Sequence, residues 1–356
     1  MAQPTSHPPL FSRLFRQNVA VDLGTANTLI YTDDGGIVLN QPSVVCFQKQ
    51  GEARRDHVTA GGTPIVAAVG NEAKQMLGRA PGNLEAVRPM RHGVIADFPA
   101  AEHMIRQFVA MARPRQLFGR RATFTICVPA GATQVERRAI KEAAVSAGAW
   151  KVSLIGESLA SAVGAGLPVA SATGSMVVDI GGGTTEVGVI ALGGAVYSGS
   201  IRVGGDQFDH AIVNHVRSVY GVLLGEQTAE YVKKTIGSAL RDVPLERMNA
   251  TGRSVEDGLP RTVQLSNHDI AEAIVAPLRQ VIGAVKTGLE SAPPELITDI
   301  AGSGIVLTGG GALLGHLDRC LSEQLGVAVR VADEPLTCAV RGAGAALGMV
   351  DAFAFD

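Results

Sequence analysis

Two aspartates each stand at the end of an apolar run and at the start of a small polar turn. The first turn reads Asp22-Leu23-Gly24-Thr25-Ala26-Asn27, and the second reads Asp179-Ile180-Gly181-Gly182-Gly183-Thr184-Thr185-Glu186. A third glycine turn, Thr308-Gly309-Gly310-Gly311-Ala312-Leu313, follows Ile305–Leu307 without an aspartate. Backbone N–H groups of glycine turns converge on phosphate oxygens because no Cβ blocks the approach. Thr25, Asn27, Thr184 and Thr185 add short hydroxyl and amide donors. Two carboxylates beside a polyphosphate suit Mg²⁺, which keeps much of its water and takes few protein ligands. Taken singly, each aspartate has the alternative reading of a turn cap. No G-x-x-x-x-G-K-[ST] run occurs, so the chemistry is not that of a P-loop.

The turns need strands to hold them. Val19–Leu23 and Leu29–Thr32 flank the first turn, and Ser175–Asp179 and Val187–Leu192 flank the second. Asp22 and Asp179 are 157 positions apart, close to half of the 356 residues, which points to a duplicated α/β domain. Between the hairpins the pattern predicts a strand over Ala122–Val128, a helix over Thr133–Ala147, a strand over Lys151–Ile155 and a helix over Ser158–Ala165. Beyond the second hairpin, Gln207–Tyr220 and Glu226–Leu240 read as helices, and 241–262 reads as irregular. Asn267–Ser291 reads as a helix kinked at Pro277. Phe208, Ile212 and Val216 form a core stripe, and Trp150 is expected to pack.

With 46% apolar and 18% charged residues the chain supports a sizeable core, which excludes wholesale disorder. Its net charge of −2 provides no general basic field for nucleic acid. Cys46, Cys127, Cys320 and Cys338 show no C-x-x-C spacing and are read as reduced thiols. No run suits a membrane-spanning helix. Leu10, Phe11, Leu14 and Phe15 share one helical face flanked by Arg13 and Arg16, which suits either a membrane interface or docking on the chain's own domain.

The three turns resemble the phosphate 1, phosphate 2 and adenosine motifs of the actin, Hsp70 and sugar-kinase superfamily. A closer resemblance, to the MreB family of bacterial actins, is carried by Leu39–Val45 (LNQPSVV), Arg88–Asp97 (RPMRHGVIAD), Gly131–Ile140 (GATQVERRAI), Gly164–Val169 (GAGLPV) and Pro293–Leu296 (PPEL). It covers the chain from about Asn18 to Gly348. The resemblance implies an actin-like, ribonuclease H-like duplicated α/β fold. Each of its two lobes would carry a mixed sheet flanked by helices, with a nucleotide cleft between them. It implies four subdomains after a disordered and then amphipathic start at 1–17: IA from 18–45, 91–168 and 335–356; IB from 46–90; IIA from 169–204 and 263–334; IIB from 205–262.

The resemblance also implies ATP and Mg²⁺ as cofactors. Asp22, Thr25, Ala26, Asn27, Asp179, Gly181, Gly182 and Gly183 would hold the phosphates, with Asp22 and Asp179 acting on Mg²⁺ mainly through water. Glu230 and Lys233 would contact ribose and adenine, and Gly309, Gly310, Gly311, Ala312 and Leu313 would pack on the adenosine. By residue type and spacing alone, Glu230 and Lys233 read as an exposed helix pair. Glu157 and Thr184 would place the attacking water. Here the chain departs from the family's Ile-Glu-Glu-Pro-Met: it has Ile155-Gly156-Glu157-Ser158-Leu159, which predicts hydrolysis that persists but slows.

The implied activity is a slow ATPase within a homopolymer of paired protofilaments. It would lie in the cytoplasm, peripherally on the inner membrane, and work with membrane proteins of the cell-elongation machinery to organise wall synthesis and rod shape. Leu117 and Phe118, in a basic loop, would join Leu10, Phe11, Leu14 and Phe15 in touching lipid. The rival classes are a small-molecule kinase of the same superfamily and a non-polymerising ATP-dependent scaffold.

Overall fold

The computed structural model describes residues 16–49, 65–112 and 121–347. The first lobe opens with an antiparallel meander of β1 (Arg16–Leu23), β2 (Asn27–Thr32) and β3 (Gly36–Pro42). A small layer follows: β4 (Val45–Gln48), β5 (Val66–Val69), α1 (Gly70–Met76), β6 (Leu84–Val87), β7 (Met90–Arg91) and β8 (Val94–Ile95). The chain then re-enters the main sheet through α2 (Phe98–Ala112), β9 (Arg121–Val128), α3 (Gln134–Ser146), β10 (Lys151–Gly156) and α4 (Glu157–Gly164).

The second lobe repeats the plan with β11 (Ser175–Ile180), β12 (Thr185–Ala191) and β13 (Gly194–Ile201). An excursion follows through α5 (Gly205–Tyr220), β14 (Val222–Leu223), α6 (Glu226–Ile236), β15 (Arg247–Ser254) and β16 (Pro260–Ser266). Next come α7 (Asn267–Ala273), α8 (Val275–Ser291), α9 (Pro294–Ser303), β17 (Ile305–Thr308), α10 (Leu317–Leu325) and β18 (Val329–Val331). α11 (Cys338–Ala346) returns to pack on α4 and β1.

The main sheets run β10-β9-β1-β2-β3 and β13-β12-β11-β17-β18. In each, the opening strand pairs antiparallel with its meander partner on one side and parallel with a later strand on the other. The duplication suggested by the spacing of Asp22 and Asp179 is thus repeated in strand order and direction. β11 and β12 are buried along their full length. That burial explains why they read as apolar runs rather than as alternating strands.

Each lobe has its own core. Phe108, Phe124 and Met104 anchor the first; Phe208, Ile212 and Val216 lie in the second, as the helical stripe predicts. A third cluster, including Ala20, Leu159, Val177, Ile190 and Val340, packs α4 and α11 between the two sheets. Small residues dominate it because the helices meet almost backbone to backbone. A Cβ on Gly164 would strike the Cys338 carbonyl, and one on Gly342 would strike the Ala160 carbonyl.

The helix expected over Thr133–Ala147 forms as α3, with Thr133 and Glu136 in a reciprocal capping box. Several elements differ from the sequence reading. The stretch 241–262 contains β15 and the start of β16, and the two strands pair from Arg247↔Ser266 to Arg253↔Pro260. These strands face solvent along most of their length and turn few side chains inward, so the period-two signal is faint. α6 stops at Ile236 rather than Leu240, and the Gly237 amide closes the helix on the Lys233 carbonyl. The long helix expected over 267–291 is divided at Ile274, with Pro277 in the first turn of α8. Trp150 is 63% exposed rather than packed. All four cysteines are unpaired and buried. Among the described residues, no helix is long and apolar enough to cross a membrane.

Candidate nucleotide site between the lobes

β1 and β11 end at the same gap between the lobes, and their turns touch there. A Cβ on Gly182 would lie 2.6 Å from the Ala26 Cβ, and one on Gly183 would lie 2.5 Å from Thr25 Oγ1. Glycine at these positions is therefore what lets the two turns share one cavity. Thr25 Oγ1 accepts the Gly93 N–H at 2.8 Å, which fixes the first turn to the loop after β7. The start of α5 is locked to the second turn: the Gly205 and Asp206 amides donate to the Gly181 and Gly182 carbonyls at 3.0 and 2.8 Å.

The resulting cavity has a volume of about 520 Å³. Asp22, Thr25, Ala26, Asn27, Glu157, Asp179, Gly181, Gly182, Gly183, Thr184, Glu230, Lys233, Gly309, Gly310, Gly311 and Leu313 all line it. Ala312 does not. It is 2% exposed and points into the core of the second lobe, because the short 3₁₀ turn over Gly310–Leu313 alternates its faces. Leu10, Phe11, Leu14, Phe15, Leu117 and Phe118 lie outside the described residues.

The floor of the cavity is acidic. Burial, reinforced by the Asp179 charge, pushes the Asp22 carboxyl up to about 7. Asp179 is also raised by burial, against opposing hydrogen bonds. Its Oδ2 accepts Ser161 Oγ at 2.6 Å and Thr308 Oγ1 at 2.8 Å. Glu157 is raised well above the usual carboxylate range by burial and then by Asp179, Glu186 and Asp22. Burial likewise lifts Glu186 to about 7. The Asp179 charge raises Asp22, Glu157 and Glu186 alike, and such a buried acidic cluster is a setting in which a divalent cation is favourable. Among the described residues, no three His, Cys, Asp or Glu side chains converge to ligate a metal directly. Asp22 and Asp179, which both line the cavity, are the carboxylates placed to hold a cation through its water.

Glu230 and Lys233 do not pair with each other. Lys233 Nζ stands 2.8 Å from Asp209 Oδ1 and donates to the Gly205 carbonyl at 2.8 Å. Glu230 meets Lys74 at 2.7 Å and Lys234 at 2.6 Å. Asp206, Asp209 and Lys74 are functional candidates that the sequence reading missed. Gly204-Gly205-Asp206, separated from β13 by two residues and opening α5, was the available signal for the first two. Lys74 carries no local signal. Cys127 also lines the cavity, with its thiol pushed up by burial and by Asp22.

Two duplicated lobes with glycine turns meeting at a central cleft define an actin-like protein. The MreB/Mbl protein family model matches residues 16–354. The chain is 53% identical over 341 residues to the cell shape-determining protein MreB of Escherichia coli (strain K12), covering 96% of each. It superposes on MreB5 of Spiroplasma citri bound to ADP with a TM-score of 0.86 and 32% identity, covering 94% of this chain and 97% of the other. The MamK double helical filament shares the fold at a TM-score of 0.77 and 21% identity, covering 94% of this chain and 99% of the other. The chain belongs to the MreB/Mbl family.

Proposed function

We propose that the cleft binds ATP with Mg²⁺ and hydrolyses it slowly, and that the chain polymerises into membrane-attached filaments that set rod shape. The observation that carries this reading is the meeting of the two phosphate-type turns, Gly182 against Ala26, above Asp22 and Asp179. MreB5 of Spiroplasma citri also has structures bound to ADP and to AMPPNP, which supports a nucleotide as the occupant. Backbone N–H groups of Gly24–Asn27 and Gly181–Thr184 would cradle the phosphates. The glycines at 309–311 and Leu313 would flank the base. Mg²⁺, when bound, supplies positive charge against the phosphates and the acidic floor.

Glu157 would orient the attacking water and accept its proton, and Thr184 would hold the same water from the other lobe. Burial raises the Glu157 carboxyl well above the usual carboxylate range, so its ionised form is a stronger base. Head-to-tail contacts between copies would repeat into strands. Residues 1–17 and the loop with Leu117 and Phe118 would hold those strands on anionic lipid of the inner membrane face. There they would meet membrane proteins of the elongation machinery and organise wall synthesis. The subdomain limits given by the resemblance, 46–90 and 205–262 for the two outer parts, are proposed to move over the cleft.

Electron microscopy of the purified protein on anionic liposomes with ATP tests the whole reading. Filaments on the lipid are expected with the full chain, and filaments free of lipid after deletion of residues 1–17. No polymer at any concentration with ATP would refute polymerisation, and no saturable nucleotide binding would refute the site.

A further inference from the structure

Glu157 and Thr184 belong to different lobes. Glu157 opens α4 after the first-lobe strand β10, and Thr184 immediately precedes the second-lobe strand β12. For both to act on one water, the lobes need a fixed relation at that depth. Glu186 is placed to provide it. It lies on β12 two residues after Thr184 and faces Asp179 in register. Its exposure is 0%. One oxygen, Oε2, accepts the Ala130 N–H at 2.9 Å, and the other accepts Ser200 Oγ. Ala130 belongs to the first-lobe loop after β9, next to Pro129, which lines the cavity. A single buried carboxyl therefore joins the two lobes beneath the site.

A second cross-lobe contact runs beside it. Ser158, the residue after Glu157, has its Oγ 3.3 Å from Ser198 Oγ on β13. Ser198 and Ser200 are two apart on β13 and so face the same side, serving Ser158 and Glu186 in turn. Gly188 leaves the room: a Cβ there would lie 2.7 Å from the Ser158 Cβ. Ser158 stands where the family pattern has proline, and its hydroxyl makes a contact that proline cannot.

We propose that Glu186 is a positioning residue for hydrolysis, clamping the Pro129–Ala130 loop to β12 so that Glu157 and Thr184 meet at one water. This rests on the hydrolysis reading above. The clamp works through hydrogen bonding rather than charge. Its two partners are a backbone amide and a hydroxyl, neither of which carries a charge. A glutamine can therefore replace it, its carbonyl accepting from Ala130 and its amide donating to Ser200 Oγ.

The test compares wild type, Glu186→Ala, Glu186→Gln and Ser200→Ala by single-turnover phosphate release, fluorescent ATP binding and amide exchange at 129–132. Glu186→Ala is expected to lower kcat on the order of 100-fold with unchanged nucleotide affinity and faster exchange at Ala130. Glu186→Gln and Ser200→Ala are expected to stay within a few-fold of wild type. Wild-type turnover in Glu186→Ala, a defect confined to KM, or Glu186→Gln as impaired as Glu186→Ala would each overturn the proposal. If Glu186→Ala does not fold, the glutamine variant decides: retained kcat supports the clamp, and a collapse refutes it. A wild type that binds ATP and releases no phosphate refutes the hydrolysis reading, and the catalytic role of the clamp with it.

Discussion

Lys74 Nζ lies 2.7 Å from Glu230 Oε2, joining α1 of the first lobe to α6 of the second across 156 positions of sequence. Burial opposes ionisation of Glu230, yet hydrogen bonds from Lys234 and Lys74 hold its carboxyl at about 2. One position beyond Glu226, Gln227 Nε2 donates to the carbonyls of Lys74 at 2.8 Å and Leu77 at 3.1 Å, satisfying the end of α1. One face of α6 thus fastens the mouth of the cleft. Lys74→Met should speed release of a bound fluorescent ADP by roughly tenfold, the loss of a charge-assisted hydrogen bond. Unchanged release, measured by stopped flow, would show that the fastening does not gate the site.

The acidic floor predicts an unusual pH dependence. Asp22 and Glu186 are raised to about 7 and Asp209 to about 6, mainly by burial. Unfolded carboxyls titrate near 4, so between roughly pH 4 and 7 the folded state holds more protons than the unfolded. Stability conferred by these groups is therefore present at low pH and lost as pH rises through their folded values. The loss is at most about 1.4 kcal/mol per carboxyl for every pH unit that separates its folded and unfolded titrations. Nucleotide-free protein should melt at a lower temperature at pH 7.5 than at pH 5.5. Mg²⁺ and nucleotide should shrink or reverse that difference in the same thermal scans.

Gly156 sits in extended backbone, with φ −61° and ψ 132°, and a Cβ there meets nothing within 4 Å. Gly156→Ala should stabilise the chain by about 0.5–1 kcal/mol by restricting the unfolded state. Neighbouring Glu157→Ala should instead leave the melting curve near wild type and cut phosphate release by on the order of 100-fold. Equal release rates would remove Glu157 from the mechanism.

Gly342 is also a glycine in regular structure, yet the sign there is opposite. Alanine in a helix interior is ordinarily favourable by about 1 kcal/mol. Here its methyl would enter the Ala160 carbonyl and push α11 off α4. Gly342→Ala should destabilise by about 3 kcal/mol in urea titration. A neutral result would mean that the two helices part without cost.

Much of this protein is written locally. Asp22, Asp179, the glycine turns and the duplicated hairpins were legible because apolar strands ending in glycine are patterns of adjacent residues. The hairpin over 247–266 was not, since its strands bury too little to alternate visibly. The inward turn of Ala312 was also hidden, because a short 3₁₀ segment has no readable period. The partners Lys74 with Glu230, Lys233 with Asp209, and Glu186 with Ala130 were decided only by the tertiary structure. Nothing in a helix or strand specifies a contact made across a cleft. That depends on how α4 and α11 set one lobe against the other.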